Sequence, residues 1–358
     1  MSTVYFVGCE KKSKKIAFVG ALTGRTADVG TAARDGAILA MEEQNRKGGI
    51  DGQLIELIIG DDKNDPKEAV RVDESVIAQG VLGIVGHVTS VACLGGVEVA
   101  NRAHVPLVSP TVSTNELSRK RDYFFRIYPA SAQTASLLAQ YVVDVRGFKR
   151  VAIVLDMGNR AHSESAALAF TARLHTLGGD VVQTEPFVSS RTMRFSAIAD
   201  AIDKGKVDVL YVLANAMDTA MLAQQLKKQN KQIPMVASDW SMSNEVIQYG
   251  GRAVEGLTAL HTLQFNSTTP KYRAFFDAFV KRFGREPTFA ATHGYDAMRL
   301  LLRATSGSVT PEQVARKLSK QEPFDTLQDR IVFDEFGDVT RKHWLVRVVD
   351  GHLQEVDK

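Results

Sequence analysis

A chain of 358 residues, 44% of them hydrophobic and 24% charged, is longer than the roughly 250–300 residues at which one core stops growing; two domains are expected, and a disordered or collagen-like chain is excluded. Its 44 basic side chains exceed the 41 acidic ones by three, and the excess lies in residues 1–15, where Lys11, Lys12, Lys14 and Lys15 face Glu10 alone. The remainder carries 40 of each sign and is formally neutral, which argues against a nucleic-acid binder.

In chain order, the first segment is Val4-Tyr5-Phe6-Val7-Gly8-Cys9, apolar and followed by the polar run Glu10 to Lys15. It resembles the end of a bacterial lipoprotein signal, with Phe6 where Leu is usual and no basic or full-length apolar region before it. Cys9 reads either as a lipid-anchor site or as an incidental cysteine in a terminal tail. With Cys93 it cannot form a disulfide framework, and no apolar run reaches the roughly 18–20 residues that span a bilayer.

From Ile16 onward short apolar runs alternate with amphipathic ones. A buried strand is predicted at Ile16–Gly20, a helix from about Thr31 to Arg46, a strand at Leu54–Ile59 and a helix opening at Pro66, where proline suits the first turn. Strand Val81–Val85, a helix near Ser90–Arg102 and strand Val105–Val108 follow. A second series is predicted as helix Gln133–Val145, strand Val151–Leu155, helix Ser163–Leu177, strand Val181–Phe187, helix Phe195–Asp203, strand Val207–Leu213, helix Ala216–Gln229 and strand Met235–Ala237. After Leu260, helices Lys271–Phe283, Phe289–Thr305 and Pro311–Ser319 run together, then strands Arg330–Phe333 and His343–Val349. Strand and helix in alternation imply an α/β fold with parallel sheets covered on both faces. The tail is too short for a third domain, so it is expected to return to the first lobe and then the second. Short crossovers are expected near Arg126–Ala130, Leu260–Thr262 and Phe333–Gly337. These divide the chain into a tail (1–15), a first lobe (16–128 with 262–335) and a second (129–261 with 336–358).

Catalytic signatures fail on inspection, and no enzyme is expected. Gly20-Ala21-Leu22-Thr23-Gly24-Arg25-Thr26 is one residue short of a phosphate loop and has Arg where its Lys is needed. No dinucleotide fingerprint follows the first strand, no G-x-S-x-G elbow occurs, and the eight histidines lack the i, i+4 spacing of a helical zinc site. Asp61, Asp62 and Asp65 form half of a cation site or, as we favour, cap and bond the backbone of a strand-to-helix turn. No metal or cofactor is expected. What remains is hydroxyl residues at the C-terminal ends of predicted strands, where open parallel sheets bind ligands beside helix N-termini. Gly86-His87-Val88-Thr89-Ser90 and Ser109-Pro110-Thr111-Val112-Ser113-Thr114-Asn115 are the two such loops. Their hydroxyls serve a carboxylate or cap helices.

Gly20 to Gly24, Gly48-Gly49-Ile50-Asp51-Gly52, Asp61-Asp62 with Asp65-Pro66, Gly86-His87, Ser109-Pro110, Gly294-Tyr295-Asp296-Ala297 and Phe333 to Asp338 fall in an order and spacing similar to the periplasmic leucine/isoleucine/valine-binding proteins, the type I solute-binding receptors of ABC transporters. The resemblance covers roughly Lys15 to Gly351. It implies two Rossmann-like lobes joined by three crossovers, a monomer outside the cytoplasmic membrane, permease subunits as partners and an amino acid as ligand, held in the cleft by lobe closure. The same fold also serves ligand-sensing receptors without transport. By this resemblance Ser90, Thr111 and Ser113 meet the ligand's carboxylate and ammonium, with Thr89 beside them, and Asp239 stands where the family pairs the ammonium, usually with Glu. The family's aromatic ligand contacts align near Val29, near Arg160 and near Asn215 or Ala216, none of them aromatic here. Arg160, with Asn159 before it, either binds a ligand carboxylate or is a solvated loop residue. Trp240 either replaces the missing apolar wall or belongs to a lobe core.

Overall fold

The computed structural model describes residues 13–190 and 192–357; the anchor reading of Cys9 falls outside them. Five strands, β1 (Lys14–Gly20), β2 (Ile55–Asp61), β3 (Ile84–Gly86), β4 (Leu107–Ser109) and β5 (Phe124–Arg126), form one sheet in the order β2-β1-β3-β4-β5, with all pairings parallel. Ile16, Ala17, Phe18 and Val19 are wholly buried because helices cover both faces, which is why β1 reads as a continuous apolar run. The connecting helices are α1 (Ala27–Arg46), α2 (Pro66–Ile77) and α3 (Ser90–Ala103).

Helix α4 (Ser131–Gln140), prolonged by a π-helical turn at Tyr141–Val145, opens the second lobe. Its strands are β6 (Arg150–Asp156), β7 (Asp180–Phe187), β8 (Val209–Leu213), β9 (Met235–Ala237) and β10 (Thr258–His261). They pair in parallel in the order β7-β6-β8-β9-β10, the connectivity of the first sheet repeated. Between them run α5 (Arg160–Thr176), α6 (Phe195–Ala201), α7 (Ala216–Lys228) and α8 (Asn244–Gly250).

The tail returns to each lobe in turn. Helices α9 (Pro270–Phe283), α10 (Phe289–Thr305) and α11 (Pro311–Leu318) pack on the first sheet. A hairpin of β11 (Phe324–Asp325) and β12 (Arg330–Ile331) follows, then β13 (Trp344–Val349) and β14 (His352–Glu355) add an antiparallel edge to β10. Helix α10 lies against α1 at backbone contact distance. A Cβ at Gly36 would sit 2.0 Å from the Ala291 carbonyl oxygen, and one at Gly294 would sit 2.1 Å from that of Ala33. This reciprocal glycine contact clamps the C-terminal segment onto the first lobe.

Several expectations are corrected. Strands β5 and β10 and helix α8 were not anticipated; β5 ends in Arg126, whose fully buried guanidinium is 2.7 Å from Asp338 and bonds the Thr114 carbonyl at 2.8 Å. The predicted strand at Arg330–Phe333 is a two-residue piece of the hairpin. Phe333–Gly337 is a turn against the first sheet, with Arg126 N donating to Gly337 O at 3.0 Å, and the passage to the second sheet runs through Val339–His343.

Substituting Gly294 by Ala forces α1 and α10 apart. The expected loss is about 1–3 kcal/mol of unfolding free energy in urea; a change below about 0.5 kcal/mol would show that the contact does not hold the segment.

Candidate functional site

The C-terminal ends of both sheets face each other across a cleft, and in each sheet the order reverses beside its first strand, the place where neighbouring loops diverge. The loops after β3 and β4 build the first wall. The Ser109 hydroxyl donates to His87 O at 2.8 Å and accepts from Val112 N at 3.1 Å, while the Thr111 hydroxyl donates to Val88 O at 2.6 Å. Ser113 N donates to Ser90 Oγ at 3.4 Å, so the two loops are stitched together. Beneath them His87 lies fully buried, its Nδ1 2.7 Å from Asp62 and its Nε2 3.1 Å from Asp73. Burial alone would push its pKa down, but the carboxylates of Asp73 and Asp62 outweigh it and hold the imidazolium up at about 10. Only a residue without Cβ fits above this ring, since a Cβ at Gly96 would stand 2.1 Å from Nε2.

Thr89 and Ser90 open α3, so its free N–H groups and dipole face the cleft. With Thr111 and Ser113 they line one side of a narrow pocket in the cleft, with a cavity volume of about 30 Å³. Asn159, His162, Asp239 and Trp240 line the other side, with Val29, Val88, Phe289 and the crossover residue Tyr128 completing the walls. Asp239 begins a short turn after β9 and accepts bonds from its neighbour Trp240 N at 2.9 Å and from the Tyr128 hydroxyl. Burial raises its pKa to about 6 despite the bond from Tyr128. Burial and the adjacent carboxylate push the Tyr128 phenol well above its ordinary value, so Tyr128 is the donor in this pair. A carboxylate with two donors retains acceptor capacity for a third group entering the cavity. The Thr89 hydroxyl and His162 Nε2 are buried without a hydrogen-bond partner among the described residues.

Six of the eight residues anticipated from sequence thus meet around one cavity: Thr89, Ser90, Thr111, Ser113, Asn159 and Asp239. Arg160 and Ala216 do not. Arg160 points along the outer face of α5, largely exposed and 3.6 Å from Glu164 one turn on, the i, i+4 pairing of a solvated helix face. Ala216 is the first residue of α7 and packs into a core cluster with Ala220, Met242 and Val246. Asp65 caps α2 by accepting from Lys67 N and Glu68 N at 2.8 and 3.0 Å, as favoured above. Tyr128, His162 and Phe289 escaped the sequence reading. Tyr128 sits in a segment read only as a crossover, and His162 lies in a helix whose apolar stripe is weak.

Further contacts join the lobes outside the cavity. The guanidinium of Arg25, in the loop after β1, reaches across to the wholly buried carboxylate of Asp218 on α7, and its Nε bonds Ser189 Oγ at 3.1 Å. Asn215 supports Asp218 at 2.8 Å. Val91 N donates to Asn159 Oδ1 at 3.2 Å, and Asn115 N to Ser165 Oγ at 2.8 Å.

The sequence profile of the periplasmic binding protein family matches residues 13–352. The chain is 27% identical over 328 residues to the leucine-, isoleucine-, valine-, threonine-, and alanine-binding protein of Pseudomonas aeruginosa, covering 91% of this chain and 87% of that one. A Leu/Ile/Val-binding protein of Rhizobium johnstonii is 29% identical over 330 residues, covering 91% and 88%. Among solved structures, the branched-chain amino acid transporter substrate binding protein of Streptococcus pneumoniae in complex with isoleucine superposes with a TM-score of 0.88 at 25% identity, covering 96% of this chain and 99% of that one. An ABC-transporter solute binding protein from R. palustris in complex with benzoate shares the fold at a TM-score of 0.87 and 18% identity, covering 96% of each chain.

The raised pKa of Asp239 carries a stability consequence. The ligand-free fold holds this proton more tightly than the unfolded chain, so its stabilising effect is complete below about pH 4 and lost as pH rises through 6. Asp239→Asn keeps the acceptor for Tyr128 and escapes that loss. The variant is expected to exceed the wild type in unfolding free energy by on the order of 2–3 kcal/mol at pH 7 and to converge with it near pH 4. A difference that stays constant between pH 4 and 8 would remove Asp239 as the titrating group.

Proposed function

Because this chain belongs to the periplasmic binding protein family, we propose that it is the extracytoplasmic receptor of an ABC importer and takes a neutral α-amino acid into the cleft between its lobes. The observation that carries this reading is the pairing of opposite polarities across one pocket: the N-terminus of α3 with its hydroxyls on one wall, a buried carboxylate on the other. That arrangement suits a zwitterion. The ligand's carboxylate is received by the N–H groups of α3 with Ser90 and Ser113, where no basic side chain is required. Its ammonium pairs with Asp239, and its side chain lies against Val29, Trp240 and Phe289. Arriving charge would also relieve Asp239, since a cation beside a carboxylate favours the ionised form.

Ligand drives closure only to the extent that it binds the closed arrangement better than the open one. Asp239 supplies that difference from the second lobe, and the Arg25–Asp218 pair adds a contact that exists only when the lobes meet. The importer's permease subunits are the partners that would read this closed form. The names of the relatives from Pseudomonas and Rhizobium support a small neutral amino acid as the ligand class.

Mass spectrometry of small molecules released by denaturing the purified protein should identify an amino acid, and titration calorimetry should then show Asp239→Ala binding it roughly 30- to several-thousand-fold more weakly than wild type, the range for leaving a buried ammonium unpaired. No response to any aliphatic, polar, acidic or aromatic amino acid would overturn the reading. Arg25→Ala touches no cavity wall, yet is expected to weaken binding by roughly tenfold, chiefly through faster dissociation, because it leaves the Asp218 carboxylate without its cation in the closed form. Arg160→Ala, which removes an exposed pair, should stay within about threefold of wild type.

A further inference from the structure

Resting on the amino-acid reading above, we propose that His162 reads the ligand's side chain and tunes the cavity toward neutral amino acids bearing a hydroxyl or a carboxamide, in preference to aliphatic ones of the same shape. The imidazole is 7% exposed and forms part of the cavity wall. Its Nδ1 is 2.9 Å from Ser113 Oγ, and its ring meets Trp240 edge-on at 5.6 Å and 87°, so both its position and its tilt are held. The opposite nitrogen, Nε2, is buried and has no hydrogen-bond partner among the described residues. A buried nitrogen of this kind is uncommon unless something external completes it.

The chemistry of that missing partner follows from the neighbours. The α-carboxylate and α-ammonium are assigned to the α3 N-terminus and to Asp239, so only the ligand's side chain is left for Nε2. Burial pushes His162 down to about 4, leaving a neutral imidazole at physiological pH. A neutral ring with one nitrogen engaged by a hydroxyl offers either one N–H or one lone pair at the other nitrogen. A side-chain hydroxyl or carboxamide matches both cases, because each is donor and acceptor at once. A cationic side chain finds no second carboxylate among the described residues of the cavity wall, and an aliphatic one leaves Nε2 unpaired. The remaining surfaces, Val29, Trp240 and Phe289, are apolar and accept the hydrocarbon part of either type. Leaving the nitrogen unpaired is expected to cost roughly ten- to hundredfold in affinity.

Two isosteric pairs isolate this effect: L-threonine against L-valine, and L-asparagine against L-leucine. In titration calorimetry on the full chain at pH 7, the polar member of at least one pair should bind roughly tenfold or more tightly. His162→Phe should abolish or reverse that preference, and His162→Gln, whose amide can reach the Nε2 position, should retain it. If His162→Phe does not fold, the wild-type comparison and His162→Gln still decide. Equal or tighter binding of valine and leucine by the wild type, or a polar preference that survives in His162→Phe, overturns the role of His162 while leaving the amino-acid reading intact. Failure of all four amino acids to bind, together with a released ligand that is not an amino acid, overturns the amino-acid reading itself and this proposal with it.

Discussion

The bond between Tyr128 and Asp239 ties the cleft to the joints of the molecule. Among the described residues Asp239 is the one carboxylate lining the cavity, and a donor side chain bonded to it comes from the first crossover. Tyr128 in turn meets His293 edge-on at 5.2 Å. His293 lies between Thr262 of the second crossover, at 3.2 Å, and Arg341 of the third, also at 3.2 Å. Arg341 donates back to Ile127 O at 3.1 Å and is neutralised by Asp329 at 2.6 Å. Burial and the neighbouring guanidinium keep His293 unprotonated, so its Nδ1 accepts from Arg341 and its Nε2–H donates to Thr262. All three passages between the lobes thus converge on one buried polar network. A change in charge at Asp239 alters the first bond of that network directly.

The two sheets explain why such a network is available. Each is built in the same order, so each presents its diverging loops at the C-terminal end of its strands, and the crossovers bring these ends face to face. The glycine contact of α1 with α10 fixes the returning segment on the first lobe, which sets His293 beneath Tyr128 and Phe289 at the cavity wall. The buried His87 imidazolium does the equivalent work under the β3 and β4 loops, holding the start of α3 by two carboxylates instead of by apolar packing alone.

What the sequence discloses follows from this construction. Long helices with one apolar face and strands buried on both faces are local patterns; Phe289–Thr305 is read to the residue for that reason. Three- and four-residue strands carry no period, and β5 disguises itself with an arginine whose charge is met by Asp338, more than two hundred positions away. The hydroxyl loops were legible because ligand sites in parallel sheets recur at strand ends. Tyr128 and His162 were not, because their significance lies in which residue faces them, and neither Asp239 nor Ser113 is their neighbour in sequence. Arg160 illustrates the reverse case: its position beside Asn159 places it at the cleft, but the start of α5 carries consecutive side chains to different sides, so that Asn159 and His162 face inward and Arg160 does not.

Among the described residues, the first wall of this cavity has no basic side chain. The helix N-terminus offers partial positive charge that needs no counter-ion, and Asp239 offers a carboxylate whose cost in the empty site is moderated by Tyr128 and by partial protonation. A permanently charged arginine on the first wall would bind a carboxylate more strongly but would demand its own partner whenever the cleft is empty. Arg25, which does cross the cleft, is placed outside the cavity, where it meets Asp218. Under the proposed function, the charge left at the centre on release is that of Asp239, which keeps the bonds from Tyr128 and from Trp240 N.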